Sequence, residues 1–180
     1  MDSAGGPRTV GVGRVLGLEI SFVPSVAGGA LLAVALFGAA GYLVFHRSLR
    51  AAIAGGLALL VLHMASELFH NLGHATAARA AGHPMIGVRF WGPLATSVYP
   101  HDEPELAPAV HVRRALGGPA GSAVLTVVAG ILWLLLGGVH TVNWILLLFF
   151  LDNLLVFTLG AFLPLGFTDG STLLRYARRS

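Results

Sequence analysis

Residues 63–74 read His-Met-Ala-Ser-Glu-Leu-Phe-His-Asn-Leu-Gly-His, inside an apolar block that runs from Ala51 to about Ala81. Ionisable side chains in such a block are costly in lipid, and they ordinarily face a bundle interior or a polar cavity. His63, Glu67, His70 and His74 stand at i, i+4, i+7 and i+11. At 100° per residue they share a stripe about 60° wide on one helix face. His70 and His74 are one turn apart, the spacing that lets two imidazoles hold a single zinc ion. The same stripe suits a helix that merely lines a water-filled pocket, and the spacing alone does not separate the two.

That block is one of four. Apolar residues make up 56% of the 180-residue chain and charged residues only 11%, against roughly 25% in a soluble domain. A small soluble fold leaves much of its area in water and cannot hide so much apolar surface. The fold class that follows is an all-α polytopic membrane protein. Its four spans are expected at about 24–45, 51–81, 119–138 and 142–163, each at least about the ~20 residues that cross a bilayer core.

Between the spans the pattern changes. Gly17–Phe22 alternates as a short strand does, and Met85–Phe90 and Leu94–Tyr99 read as two strands around a Trp-Gly-Pro turn. These place a small strand and hairpin element at one membrane face. Residues 1–16 are expected to form a flexible N-terminus and 177–180 a basic tail. The rest of the 82–117 loop, with His83, His101, His111, Asp102, Glu103 and Glu105, reads as solvated. His140 falls in the short loop before the last span.

All 11 basic residues are arginines, and the chain has no cysteine. Any metal must therefore be held by His, Asp or Glu. Arg8, Arg14, Arg79, Arg89, Arg113, Arg114, Arg175, Arg178 and Arg179 fall on one side of a four-span topology, and Arg47 and Arg50 on the other. The positive-inside rule then puts both termini and the 82–117 loop in the cytoplasm, as in a bacterial cytoplasmic membrane protein. The arginines sit at span ends and form no patch for nucleic acid.

The last span breaks at Phe162-Leu163-Pro164-Leu165-Gly166-Phe167-Thr168-Asp169-Gly170. Irregular backbone at that depth is tolerated where it lines a polar cavity. A carboxylate there can complete a two-His, one-carboxylate set with a fourth position open, or simply cap a turn. With this segment the chain resembles the site-2 protease family of intramembrane zinc metalloproteases. That family carries a His-Glu-x-x-His helix and, two spans later, a Pro-rich segment ending in Leu-Asp-Gly. Here the helix reads His70-Asn71-Leu72-Gly73-His74 and the later segment runs from Pro164 to Gly170. The Gly-x-x-Ile strand at Gly17–Ile20, the hairpin and Gly118-Pro119 agree in order, so the resemblance covers residues 17 to 176.

The resemblance implies that zinc is the cofactor and that His70, His74 and Asp169 are its ligands. It further implies that the partner is a transmembrane or juxtamembrane segment of another protein, presented as an added strand. Three positions depart from the family. Asn71 replaces the catalytic glutamate, Ala161 stands where an Asn is usual, and Thr168 precedes Asp-Gly. Asn71 cannot take a proton from water at neutral pH. Glu67, one turn earlier, is expected to orient His70, with a substitute base and a direct metal ligand as the other two roles. His63 reads as a pocket or proton-path residue. Asp152 and Asn153 face the bundle, where Asp152 can pair with a histidine or hold a proton. An inactive zinc-binding homologue of a protease is the alternative function, and a histidine-lined conduit is a third.

Overall fold

The computed structural model describes residues 8–177. The chain runs β1 (Val10–Val15), β2 (Leu18–Phe22), α1 (Val26–Ala39, continued by a π-helical turn to Val44) and α2 (Leu49–Ala80). It goes on through β3 (Gly87–Trp91), β4 (Leu94–Val98), α3 (Pro108–Leu136), α4 (His140–Asp152) and α5 (Asp169–Ala177). After Asp152 the chain stays coiled through a π-helical stretch, Asn153–Leu159, and a 3-10 turn, Gly160–Phe162. Four segments are long and apolar enough to cross a membrane: Val26–Val44, Leu49–Ala80, Pro108–Leu136 and Val142–Phe162. Their outer faces carry Leu31, Leu36, Leu134 and Leu135, all exposed. In water that surface would be unfavourable; in lipid it is the ordinary exterior of a span.

Three boundaries differ from expectation. Residues 10–15 are not a flexible leader, because Val10–Val15 pairs antiparallel with β2. The turn between them is two residues long, with Leu16 and Gly17 both at positive φ, the geometry of tight hairpins. Glycines at 11 and 13 thin out the alternation and hide the strand. Residues 1–7 and 178–180, and with them most of the expected basic tail, lie outside the described residues. The third span begins at Pro108, not 119, and Pro119 lies inside its helix. Pro108 occupies the first turn, where its missing N–H costs nothing. Pro119 is held in place by tight packing: a Cβ on either Gly73 or Gly117 would strike the other's backbone oxygen. His140 opens α4 and does not stand in the loop before it.

The sheet has the order β1-β2-β3-β4, with β2 parallel to β3 and β4 antiparallel to it. Leu18, Ile20, Val88 and Phe90 pack with Met85 against Ala75 and Ala78 near the end of α2. A second apolar cluster, Leu59, Ala129, Trp144 and Phe149, lies toward the other end of the bundle. The polar stripe of α2 falls between these two cores.

Candidate metal centre

His70 and His74 face α3, and what admits them there is Gly118. A Cβ at that position would fall on the Nε2 atoms of both rings. Asp169 is the first residue of α5, reached after the chain leaves the 3-10 turn at Leu163. Gly170 lets the start of α5 sit on the Phe162 carbonyl, since a Cβ there would collide with that group. Thr168 Oγ1 in turn donates to the Leu163 carbonyl across the broken segment.

The resulting donor geometry is compact. His70 Nε2 and His74 Nε2 are 3.0 Å apart. Asp169 Oδ2 lies 3.3 Å from His70 Nε2, and Asp169 Oδ1 lies 3.3 Å from His74 Nε2. Two donors each ~2.0–2.1 Å from a tetrahedral zinc ion stand about 3.3 Å apart; each nitrogen meets a different Asp169 oxygen at that distance, so the three side chains are close enough to hold one ion. Proton counting agrees. His74 Nδ1 lies 2.7 Å from the Arg114 carbonyl and 3.2 Å from the Gly118 N–H; the shorter contact is to a group that can only accept, which favours the hydrogen on Nδ1 and a lone pair on Nε2. His70 Nδ1 is bonded to Ser122 Oγ at 2.8 Å, a hydroxyl that can accept the Nδ1 hydrogen and so leave Nε2 bare. Three lone pairs then meet with no donor among them, which is what a cation requires.

A cavity of about 690 Å³ opens beside these donors. Leu94, Ala95, Thr96 and Ser97 of β4 form one wall, and Leu155, Val156 and Phe157 form another. Among the described residues β4 ends the sheet, so no other strand pairs with its edge on the side away from β3.

No protein-family model matches the chain, and no curated protein matches it. Among solved structures it is similar to the site-2 protease from Methanocaldococcus jannaschii, at 15% identity and a TM-score of 0.62. The alignment covers 93% of this chain and 70% of that one. The chain has a site-2 protease fold. At that identity the likeness concerns the backbone, and the chemistry must be argued from the residues.

Within this fold Asn71 is committed to other groups. Its amide N–H donates to the Glu67 carbonyl at 2.9 Å, and its oxygen accepts from Ser97 Oγ at 2.9 Å. It therefore ties β4 to α2. Glu67 is buried, at 4% exposure, lines the cavity and sits beside the Ala95 backbone N–H. It does not orient His70 as expected, because Ser122 takes that nitrogen. Nor does it join the donor cluster, which among the described residues is His70, His74 and Asp169.

Other polar residues take places that local sequence did not reveal. His63 is absent from the cavity wall; its Nδ1 lies 3.0 Å from Asp152 Oδ2 and its Nε2 2.8 Å from the Pro93 carbonyl. Glu103 is no solvated loop residue, since both its oxygens take hydrogen bonds from Arg114, the longer at 2.9 Å. Those bonds hold its carboxyl below the usual carboxylate range. Arg114 also covers the Tyr99 ring, 4.0 Å from its centroid. His111 lies on α3 and stacks on Tyr176 with ring centroids 4.0 Å apart. Pairings at such sequence separations leave no local signal.

Proposed function

We propose that the chain is an intramembrane zinc metalloprotease acting on a membrane-embedded protein segment, with Glu67 as the proton acceptor in place of the usual glutamate. The observation that carries this reading is the convergence of three acceptor atoms, His70 Nε2, His74 Nε2 and one Asp169 oxygen, beside a cavity that also holds a buried carboxylate. A bound zinc ion would lower the pKa of water there and polarise a scissile carbonyl. The protein's own part is to place that carbonyl and to take up a proton. The free edge of β4 can bind an extended segment by strand addition, which keeps the substrate backbone beside the donors. Asn71 offers no basic site, because its neutral amide takes up no proton at neutral pH, and its oxygen is bonded to Ser97. Glu67, one turn back along the same face, is the carboxylate left to do so.

One observation favours a second reading. Asn71 joins α2 to β4 so completely that the protein would serve as well to grip a segment as to cut it. The two readings part on measurement. Purified protein should hold one zinc ion and cleave a transmembrane-segment substrate, and Glu67→Gln should retain zinc while losing ~10²-fold or more in rate. Cleavage that survives Glu67→Gln removes Glu67 from the mechanism. Silence from both the wild type and Asn71→Glu across several candidate substrates, with zinc bound, favours the gripping protein instead. Asn71→Glu then asks whether a base restores turnover, although its carboxylate must swing away from the Glu67 carbonyl that Asn71 now bonds.

We further propose that both termini lie in the cytoplasm of a bacterial cell, on the strength of the arginine distribution. A reporter joined after Ser180 that works only outside the cell would refute this.

A further inference from the structure

The turn that joins β3 to β4 is held from three directions. Gly92 is at positive φ, 52°, and the following Pro93 fixes the second turn position. Its backbone presses on α1 so closely that a Cβ on Gly29 would overlap both Gly92 and Pro93. Ser25 Oγ accepts from the Gly92 N–H at 3.1 Å. From α2, His63 Nε2 reaches the Pro93 carbonyl at 2.8 Å, while its Nδ1 meets Asp152 at 3.0 Å.

These contacts determine how many protons the pair holds. The Pro93 carbonyl can only accept, so Nε2 must carry a hydrogen. A neutral ring then has a bare Nδ1, which cannot face a bare carboxylate oxygen at hydrogen-bond distance. A second proton has to lie between Nδ1 and Oδ2, on one or the other. Phe37 and Phe157 flank the ring at 6.1 and 5.1 Å, and His63 and Asp152 are both buried. Glu67 on α2 is the other charged group facing His63. With water excluded, each bond in the chain is stronger than it would be at a surface.

We infer that His63 and Asp152 form a proton-sharing latch that fixes the Gly92-Pro93 turn, and through it β4, at the wall of the cavity. The latch links the second and fourth spans to the sheet without touching the candidate metal ligands. It positions the strand to which a substrate segment would add. That last consequence rests on the proposed protease reading, whereas the latch itself does not.

The test uses the full chain in nanodiscs and compares wild type with Asp152→Asn, Asp152→Leu and His63→Phe. Asparagine keeps the shape and donates an N–H to a neutral Nδ1, which leaves Nε2–H for Pro93. Amide exchange across residues 94–98 should therefore match wild type in Asp152→Asn. It should rise roughly tenfold or more in the other two, the worth of a lost hydrogen bond to a charged group. Zinc content should be the same in all four proteins, which also reports that each is folded. Unchanged exchange in Asp152→Leu and His63→Phe overturns the latch. Equal acceleration in Asp152→Asn also overturns it, because packing and not hydrogen bonding would then be at work. Should the apolar variants fail to fold, the ¹⁵N signals of His63 in the wild type decide the matter. A protonated Nε2 supports the latch and a bare one refutes it. Absence of zinc from the wild type would defeat the proposed function and leave the exchange comparison intact.

Discussion

Two histidine–aspartate meetings join α2 to the C-terminal part of the chain, and they differ in what must stand between the partners. At the first, His70 and His74 present lone pairs to Asp169 at 3.3 Å, with their outer nitrogens bonded to Ser122 and Arg114. At the second, His63 meets Asp152 at 3.0 Å, and its outer nitrogen is bonded to Pro93. The first set has three inner donor atoms, and the second has one nitrogen and one oxygen. Three acceptors around a common point call for a metal cation, whereas two facing acceptors need only a proton. Residue type does not distinguish these sites. Their chemistry is set by how many lone pairs converge and by what the far nitrogen is bonded to.

The sharpest way to break the comparison is to make the same change at both aspartates. Asp169→Asn replaces an anionic ligand with a neutral amide that binds zinc poorly, so zinc affinity should fall by more than ~100-fold. Asp152→Asn should leave zinc affinity unchanged, since its amide can replace the shared proton. Competition with a chromogenic chelator measures both. Equal affinities in wild type and Asp169→Asn would remove Asp169 from the ligand set.

Gly118→Ala probes the same site through space alone. It leaves all three ligands in place but puts a methyl group against both Nε2 atoms. In a packed interface the helices cannot part freely, because the Gly73–Gly117 contact lies immediately beside His74 on α2 and Gly118 on α3. Zinc affinity should drop by ~10- to 100-fold, with helical content measured by circular dichroism unchanged. Full zinc loading in Gly118→Ala would mean that the α2–α3 spacing is soft.

The spans and the stripe on α2 were legible for physical reasons that are local or nearly so, whereas the ligand trio came from the order of motifs in the family resemblance. An apolar block of fixed length marks a helix, and four ionisable residues inside one block mark a face. Pro164 and Gly166 mark a broken segment just before Asp169, but that break suits a turn cap as well as a ligand, and only the resemblance chose between them. The strand at Val10–Val15 was missed because glycine alternates with valine there. The early start of α3 was not legible because Gly118-Pro119 resembles a helix opening, while the close Gly73–Gly117 approach beside it is tertiary. The roles of Ser122, Ser97 and Pro93 had no sequence signal at all. Each depends on a partner more than 25 residues away, and serine and proline are common at such places for unrelated reasons.

Ser122 supports the last and smallest prediction. Its hydroxyl lies 2.8 Å from His70 Nδ1 and is almost fully buried, at 1% exposure. A His70 whose Nε2 binds a cation carries its hydrogen on Nδ1, and the Ser122 hydroxyl is the acceptor within reach of it. Ser122→Ala removes that partner with little change in volume, so the ring loses its orientation without a large cavity forming. Outer partners of metal-bound histidines typically contribute 10- to 100-fold in affinity. A hydroxyl, being neutral, belongs near the lower end, and about tenfold weaker zinc binding is expected. Ser122→Thr should recover part of this, because it restores the hydroxyl in a slot that admits little more than a serine. At the other site nothing should change: amide exchange across residues 94–98 should stay at the wild-type rate. If Ser122→Ala binds zinc as the wild type does, His70 is oriented by packing alone. If it also loosens β4, the two histidine–aspartate meetings are coupled, and the division between a cation site and a proton site fails.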